Sequence, residues 1–131
     1  MRRILLAFDG GPAAWGALDR AATIALGLDA EVGVVHVLPA RRSDLGEVSD
    51  SVPLQQADEA LRTRGIEPAL HIARGDPVEQ IAALALDLDY DTVVVGSRRS
   101  GLFGHLLEAR VSTALAGHAS VPVIVVPTDP T

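Results

Sequence analysis

Ile4-Leu5-Leu6-Ala7-Phe8-Asp9-Gly10-Gly11-Pro12 is the stretch on which the fold turns. Five apolar residues in a row suit a strand buried on both faces, as in a parallel sheet with helices on either side. Asp9-Gly10-Gly11 ends the run, and Pro12 opens a helix at the position where its missing N–H costs nothing. That helix carries Trp15, Leu18, Ala22, Ile24, Ala25 and Leu26, and Gly27 is read as its end.

The same alternation continues outward. Glu31-Val32-Gly33-Val34-Val35-His36-Val37-Leu38 reads as a second strand, followed by a long polar loop over 39–49. A helix is expected over 52–64, with Gly65 at its end. A third strand over 68–73 is weakly patterned, as suits an edge. Gly75-Asp76-Pro77 is a helix start, with Asp76 as N-cap and Pro77 at the first helical position. Val78, Ile81, Ala82, Ala85 and Leu88 then follow a period of 3.6 residues. Asp91-Thr92-Val93-Val94-Val95-Gly96 is a fourth strand with a central β-branched run. After a loop over 97–107 and a last helix through Val111 and Ala114 to His118, Val121-Pro122-Val123-Ile124-Val125-Val126-Pro127 closes the chain as a fifth strand. Strict β/α alternation predicts a single doubly wound α/β domain with parallel pairing and right-handed crossovers.

Composition narrows the chemistry. The 131 residues are 48% hydrophobic, enough for one core, and the net charge of −6 disfavours nucleic acid as a partner. There is no cysteine, so thiolate catalysis and thiol-ligated metals are excluded. All eleven basic residues are arginine. The absence of lysine excludes a Walker-type phosphate loop and Schiff-base chemistry. No apolar run approaches the roughly 18 residues of a membrane span, and a soluble cytoplasmic protein without membrane association is expected.

In an open parallel sheet, ligands sit beyond the carboxyl ends of the strands where the strand order reverses. The segments concerned are Ala7, Asp9 and Gly10 after the first strand, Val37 after the second, and the loop over 96–111 after the fourth. Of the four histidines, His36 and His71 lie on neighbouring strands without a third ligand of fitting spacing, His105 is in the loop, and His118 is near the end of the last helix. No metal site is expected. Ser97, Ser100 and Ser112 have no matched base and acid, and no catalytic residue is assigned.

Pro122 cannot donate to a mid-sheet ladder, so the last strand belongs at an edge. Yet Val123, Ile124, Val125 and Val126 form an apolar β-former run without a charge to blunt it. Two covers satisfy this: a second copy in a two-fold dimer through this strand, with Val121 at its margin, or the chain's own tail.

These motifs in order, Asp9-Gly10, His36-Val37, Gly75-Asp76-Pro77, Val94-Val95-Gly96-Ser97 and Val121-Pro122-Val123-Ile124-Val125-Val126, resemble the universal stress protein family over essentially the whole chain. The resemblance implies a five-stranded parallel sheet in order 3-2-1-4-5 of the adenine nucleotide alpha hydrolase-like type, and dimerisation through the last strand. It also implies an acidic residue beside the ligand at Asp9 and a backbone contact to adenine at Val37. One branch of that family binds ATP through Gly-x2-Gly-x9-Gly followed by Ser or Thr. Counted from Gly96, this chain has Arg99, Ala109 and Arg110 at the other three positions. Arg99 fills space that phosphates would need, and the match is closer to the branch without the motif.

The resemblance therefore implies a non-catalytic, homodimeric stress-response protein without a bound cofactor. Beside it stands an adenine nucleotide sensor for ATP, AMP or cyclic AMP, using a shifted loop with Gly101 and Gly104 and the charges of Arg98, Arg99 and Arg110 near Val111. The same arginines also suit a solvated cluster paired with Glu108. Asp9 has a second expected role, as a cap on the first turn of the helix that follows it.

Overall fold

The apolar runs at residues 3–7, 31–38, 69–74, 92–97 and 123–127 all become strands of one sheet. In the computed structural model, which describes residues 2–38, 51–97 and 121–127, they are β1 (Arg3–Ala7), β2 (Glu31–Leu38), β3 (Ala69–Arg74), β4 (Thr92–Ser97) and β5 (Val123–Pro127). The helices between them are α1 (Pro12–Leu28), α2 (Val52–Thr63) and α3 (Pro77–Asp87). All neighbouring strands pair in parallel, in the order β3-β2-β1-β4-β5. The chain order therefore reverses at β1, whose neighbours are β2 and β4. The expected long loop and the expected last helix lie outside the described residues.

Residue parity sorts the core into two layers. Ile4, Leu6, Val32, Val34 and Val94 pack towards α1 and α2. Leu5, Val35, Val93 and Val95 face the side on which α3 lies. Because helices cover both faces, the strands need no polar alternation, which is why they read as continuous apolar runs. Helix α1 lies close on the sheet because its buried face is nearly all alanine: Ala13, Ala14, Ala17, Ala21, Ala22 and Ala25, with Leu18.

The helix starts follow the proline and cap signals. Ser51 caps α2 by accepting from Leu54 N–H at 3.2 Å, and Asp76 caps α3 by accepting from Glu79 N–H at 3.0 Å. Two expectations are corrected. Gly27 does not end α1, which runs on to Leu28 and is closed by Asp29 in the left-handed region (φ 53°), with Ala30 N–H bonded to Ala25 O at 2.9 Å. Asp9 does not cap α1 either: the N-cap is Gly11, which makes no side-chain cap bond. Gly65 behaves as expected, closing α2 at φ 85° with Ile66 N–H bonded to Leu61 O.

At the far edge, Pro122 precedes β5 and contributes only its carbonyl, which accepts from Val93 N–H at 3.0 Å. The ladder thus loses no donor to this proline. At the amino ends of the strands, Tyr90 is buried against Gly33, which has no room for a β-carbon beneath that ring. Tyr90 also meets His71 edge-on, its hydroxyl 2.8 Å from Nε2, and carries the Arg3 guanidinium 4.7 Å from its ring centre.

Candidate functional site

Where the strand order reverses, the carboxyl ends of β1, β2 and β4 separate and leave a cleft of about 320 Å³. The first turn of α1 forms one rim, and Pro77 and Ile81 of α3 form another. Such a crevice is the expected ligand position in a doubly wound sheet, and its volume is near the lower end of the roughly 300–1,000 Å³ common for ligand pockets.

Of the residues expected at a site, Ala7, Asp9, Val37 and Gly96 line this one cleft. Gly10 stands in the turn beside it at φ 84°, a conformation that favours glycine, and faces Pro53 and Gln56 of α2. Arg98, Arg99, Gly101, Ala109, Arg110 and Val111 lie outside the described residues, as do Ser100, Ser112, His105 and His118. The cleft also includes residues that were not expected at a site. Val35, Val95 and Ile81 supply apolar walls, and Ala13 and Ala14 supply the rim. Pro77 was readable only as a helix start. It reaches the cleft because β3 delivers α3 to the same end of the sheet.

Asp9 is exposed, and its Oδ1 accepts from Gly11 N–H at 2.9 Å. The carboxylate thus fastens the β1–α1 turn two residues ahead. Gly96 lines the cleft with an unexpected purpose. A β-carbon there would overlap the Ala13 carbonyl, so the missing side chain lets α1 seat against β4. Its φ is not among the positive ones, so left-handed freedom is not what the position requires.

Behind Asp9, His36 Nδ1 lies 3.0 Å from Ser51 Oγ, the cap of α2. Ser51 Oγ already accepts from Leu54 N–H, so the arrangement that satisfies every group has the Ser51 hydroxyl donating to a neutral imidazole. Burial holds His36 below the ordinary histidine pKa, against an upward pull from Asp9. His71 is held low by burial first and then by the Arg3 charge. The two histidines do not converge. Val35 pairs with His71 and His36 with Ile72, so the imidazoles project from opposite faces of the sheet. Among the described residues, no cluster of three or more histidine and acidic side chains is placed to hold a metal. No helix among them is long and apolar enough to cross a membrane.

The fold and cleft define a doubly wound α/β protein with a crevice at its switch point. The Universal stress protein family matches residues 1–127, and the chain belongs to that family of stress-response proteins. Universal stress protein G of Shigella flexneri is 30% identical over 113 residues, covering 75% of this chain and 78% of that protein. The structure of a universal stress protein from Archaeoglobus fulgidus is similar at a TM-score of 0.73 and 26% identity, covering 95% of this chain and 93% of the other. Another from Archaeoglobus fulgidus, in complex with dAMP, has a TM-score of 0.71 at 24% identity, covering 95% and 97%.

Proposed function

We propose that this chain is a non-catalytic regulatory protein of the stress response. It acts in the cytoplasm as a homodimer joined through β5, and its cleft takes a small ligand without the family's ATP loop. The observation that carries this reading is the meeting of Ala7, Asp9, Val37 and Gly96 on one cleft at the strand-order reversal, together with Arg99, Ala109 and Arg110 at the positions of the nucleotide loop. A regulatory role without chemistry is supported by the lining. Among its described residues, Asp9 is the only side chain able to act as an acid or base, and its Oδ1 is held by Gly11 N–H.

Calorimetric titration with ATP tests this. The unaltered chain gives no ATP binding at micromolar concentration, and Arg99→Gly with Ala109→Gly and Arg110→Ser creates it. Micromolar ATP binding by the unaltered chain overturns the reading.

A second reading is an adenine nucleotide sensor, and one observation favours it: the dAMP complex of the Archaeoglobus fulgidus relative, on a fold that matches over 95% of this chain. In this reading Val37 presents its backbone to the base and Asp9 faces the sugar.

A further inference from the structure

A second cavity lies at the opposite end of the sheet from the cleft. Parallel pairing brings the starts of β1, β2 and β3 together there, with Arg3, Glu31 and Ala69. The end of α1 and the turn after α2 close over them and leave a pocket of about 300 Å³. Its floor is apolar, from the buried Ala25, Val32 and Ile66. Its charged lining residues are Asp29, Glu31 and Glu67, with Arg3 as the one cation among those described.

These charges do not balance. Arg3 is committed within the wall: Nε lies 3.5 Å from Glu31 Oε2, Nη1 donates to Leu88 O at 2.6 Å, and the guanidinium sits over the Tyr90 ring. That offsets Glu31. Arg62, which approaches Glu67 at 3.3 Å, is held more closely by Asp58 at 2.8 Å. Asp29 makes no ion pair among the described residues. The carboxylates of Asp29 and Glu67 are thus left without a full counter-charge.

Asp29 also stands where an anion is least favoured. It is the C-cap of the 17-residue α1, at the negative end of that helix, and the last turn of α1 has no basic residue. A cation from outside the chain relieves both deficits. A compact metal ion does not suit the pocket, because no cluster of three or more histidine and acidic side chains among the described residues is placed to hold one. An aliphatic stem with an ammonium group at each end suits both the apolar floor and the acidic rim.

We propose that this pocket binds an aliphatic diamine or longer polyamine, its carbon chain on Ala25, Val32 and Ile66 and its ammonium groups on Asp29 and Glu67. Both carboxylates are exposed, so each ion pair is weak and sensitive to salt. The site is separate from the cleft and rests on no reading of it.

The experiment is titration of the full chain with 1,4-diaminobutane and spermidine at about 20 mM salt, followed through amide chemical shifts by NMR. Saturable shifts are expected at Ala30, Ile66 and Ala69, with Ala7 and Gly96 of the cleft unmoved. Hexylamine, which has the stem but one charge, should bind about two- to fivefold more weakly than the diamine. Asp29→Asn suits the same left-handed backbone and should weaken the diamine by a similar factor. Leu26→Lys, at an exposed position in the last turn of α1, supplies the chain's own cation at the rim and should also weaken it at least twofold. Shifts confined to the cleft, or none that saturate, overturn the proposal. So does hexylamine binding as tightly as the diamine, or magnesium ion displacing the diamine at equal concentration, which would mark a diffuse counterion effect. Either variant, folded and binding the diamine as tightly as the unaltered chain, overturns it as well.

Discussion

The carbonyl of Ala13 lies over Gly96 so closely that a β-carbon on the glycine would overlap it. This contact joins the first turn of α1 to the carboxyl end of β4 and sets the rim of the cleft. A glycine that resembles part of a phosphate loop is thus a packing joint between helix and sheet. Its conservative replacement acts first on the fold.

Gly96→Ala is expected to lower stability by about 1–3 kcal/mol, the usual cost of forcing an extra methyl into a filled site. The Ala13 backbone, held within the helix ladder, has little freedom to retreat. Gly27→Ala is the control, because a β-carbon at Gly27 meets nothing within 4 Å and alanine suits a helix better. Urea unfolding should show a large drop for the first variant and no loss for the second. Equal effects would refute the packing account.

Gly33 and Tyr90 form a second such pair, on the α3 face of the sheet. Gly33→Ala alone should destabilise, because its β-carbon would collide with the buried Tyr90 ring. Tyr90→Ala alone should cost about 3–5 kcal/mol through the cavity and the lost bond to His71 Nε2. Combined, the two should cost less than their sum by on the order of 1 kcal/mol, since the cavity accepts the new methyl. Strict additivity in a double-mutant cycle would show that Gly33 is not there for the ring.

What was legible in the sequence follows from which forces are local. The strands were readable to within one or two residues, most of them because they carry apolar runs, a local consequence of burial on both faces. The starts at Pro12 and Asp76-Pro77 were readable because cap chemistry lies within a single turn. The end of α1 was not, because Asp29 takes the left-handed position more often held by glycine, and Gly27 beside it was the stronger signal. In the cleft, Ala7, Asp9, Val37 and Gly96 stand at strand ends and could be placed by topology. Ile81 and the true role of Gly96 depend on contacts between elements distant in sequence, for which no local pattern exists.

Acid should weaken the fold through two histidines. Burial lowers His36, opposed by Asp9, and burial together with the Arg3 charge lowers His71. Both native values are thus below the ordinary 6.5, and below that pH the unfolded chain binds more protons than the folded one. Their contribution is complete above about pH 6.5 and is lost as pH falls towards the lowered native values. Urea midpoints should therefore fall between pH 7.5 and pH 5. The fall should be smaller in His36→Asn and in His71→Gln, and smallest with both. An undiminished fall in the double variant would assign the acid sensitivity to other groups.

The dimer proposal makes its own demand on β5. With Val93 N–H bonded to Pro122 O, the alternation of a parallel ladder turns the peptide groups of Ile124 and Val126 towards β4 and those of Val123 and Val125 outwards. Among the described residues the outer row is an unpaired, chargeless edge, which a second copy would cover by a self-complementary two-fold contact. Val125→Pro removes an outward N–H without touching the inner ladder, and Val123→Lys sets a charge on the same strand. Sedimentation equilibrium should find a dimer for the unaltered chain and a shift towards monomer for each variant, with cooperative unfolding retained. A folded Val125→Pro chain that stays dimeric would move the interface to another surface. An unaltered chain that sediments as a monomer at every concentration would remove the dimer itself.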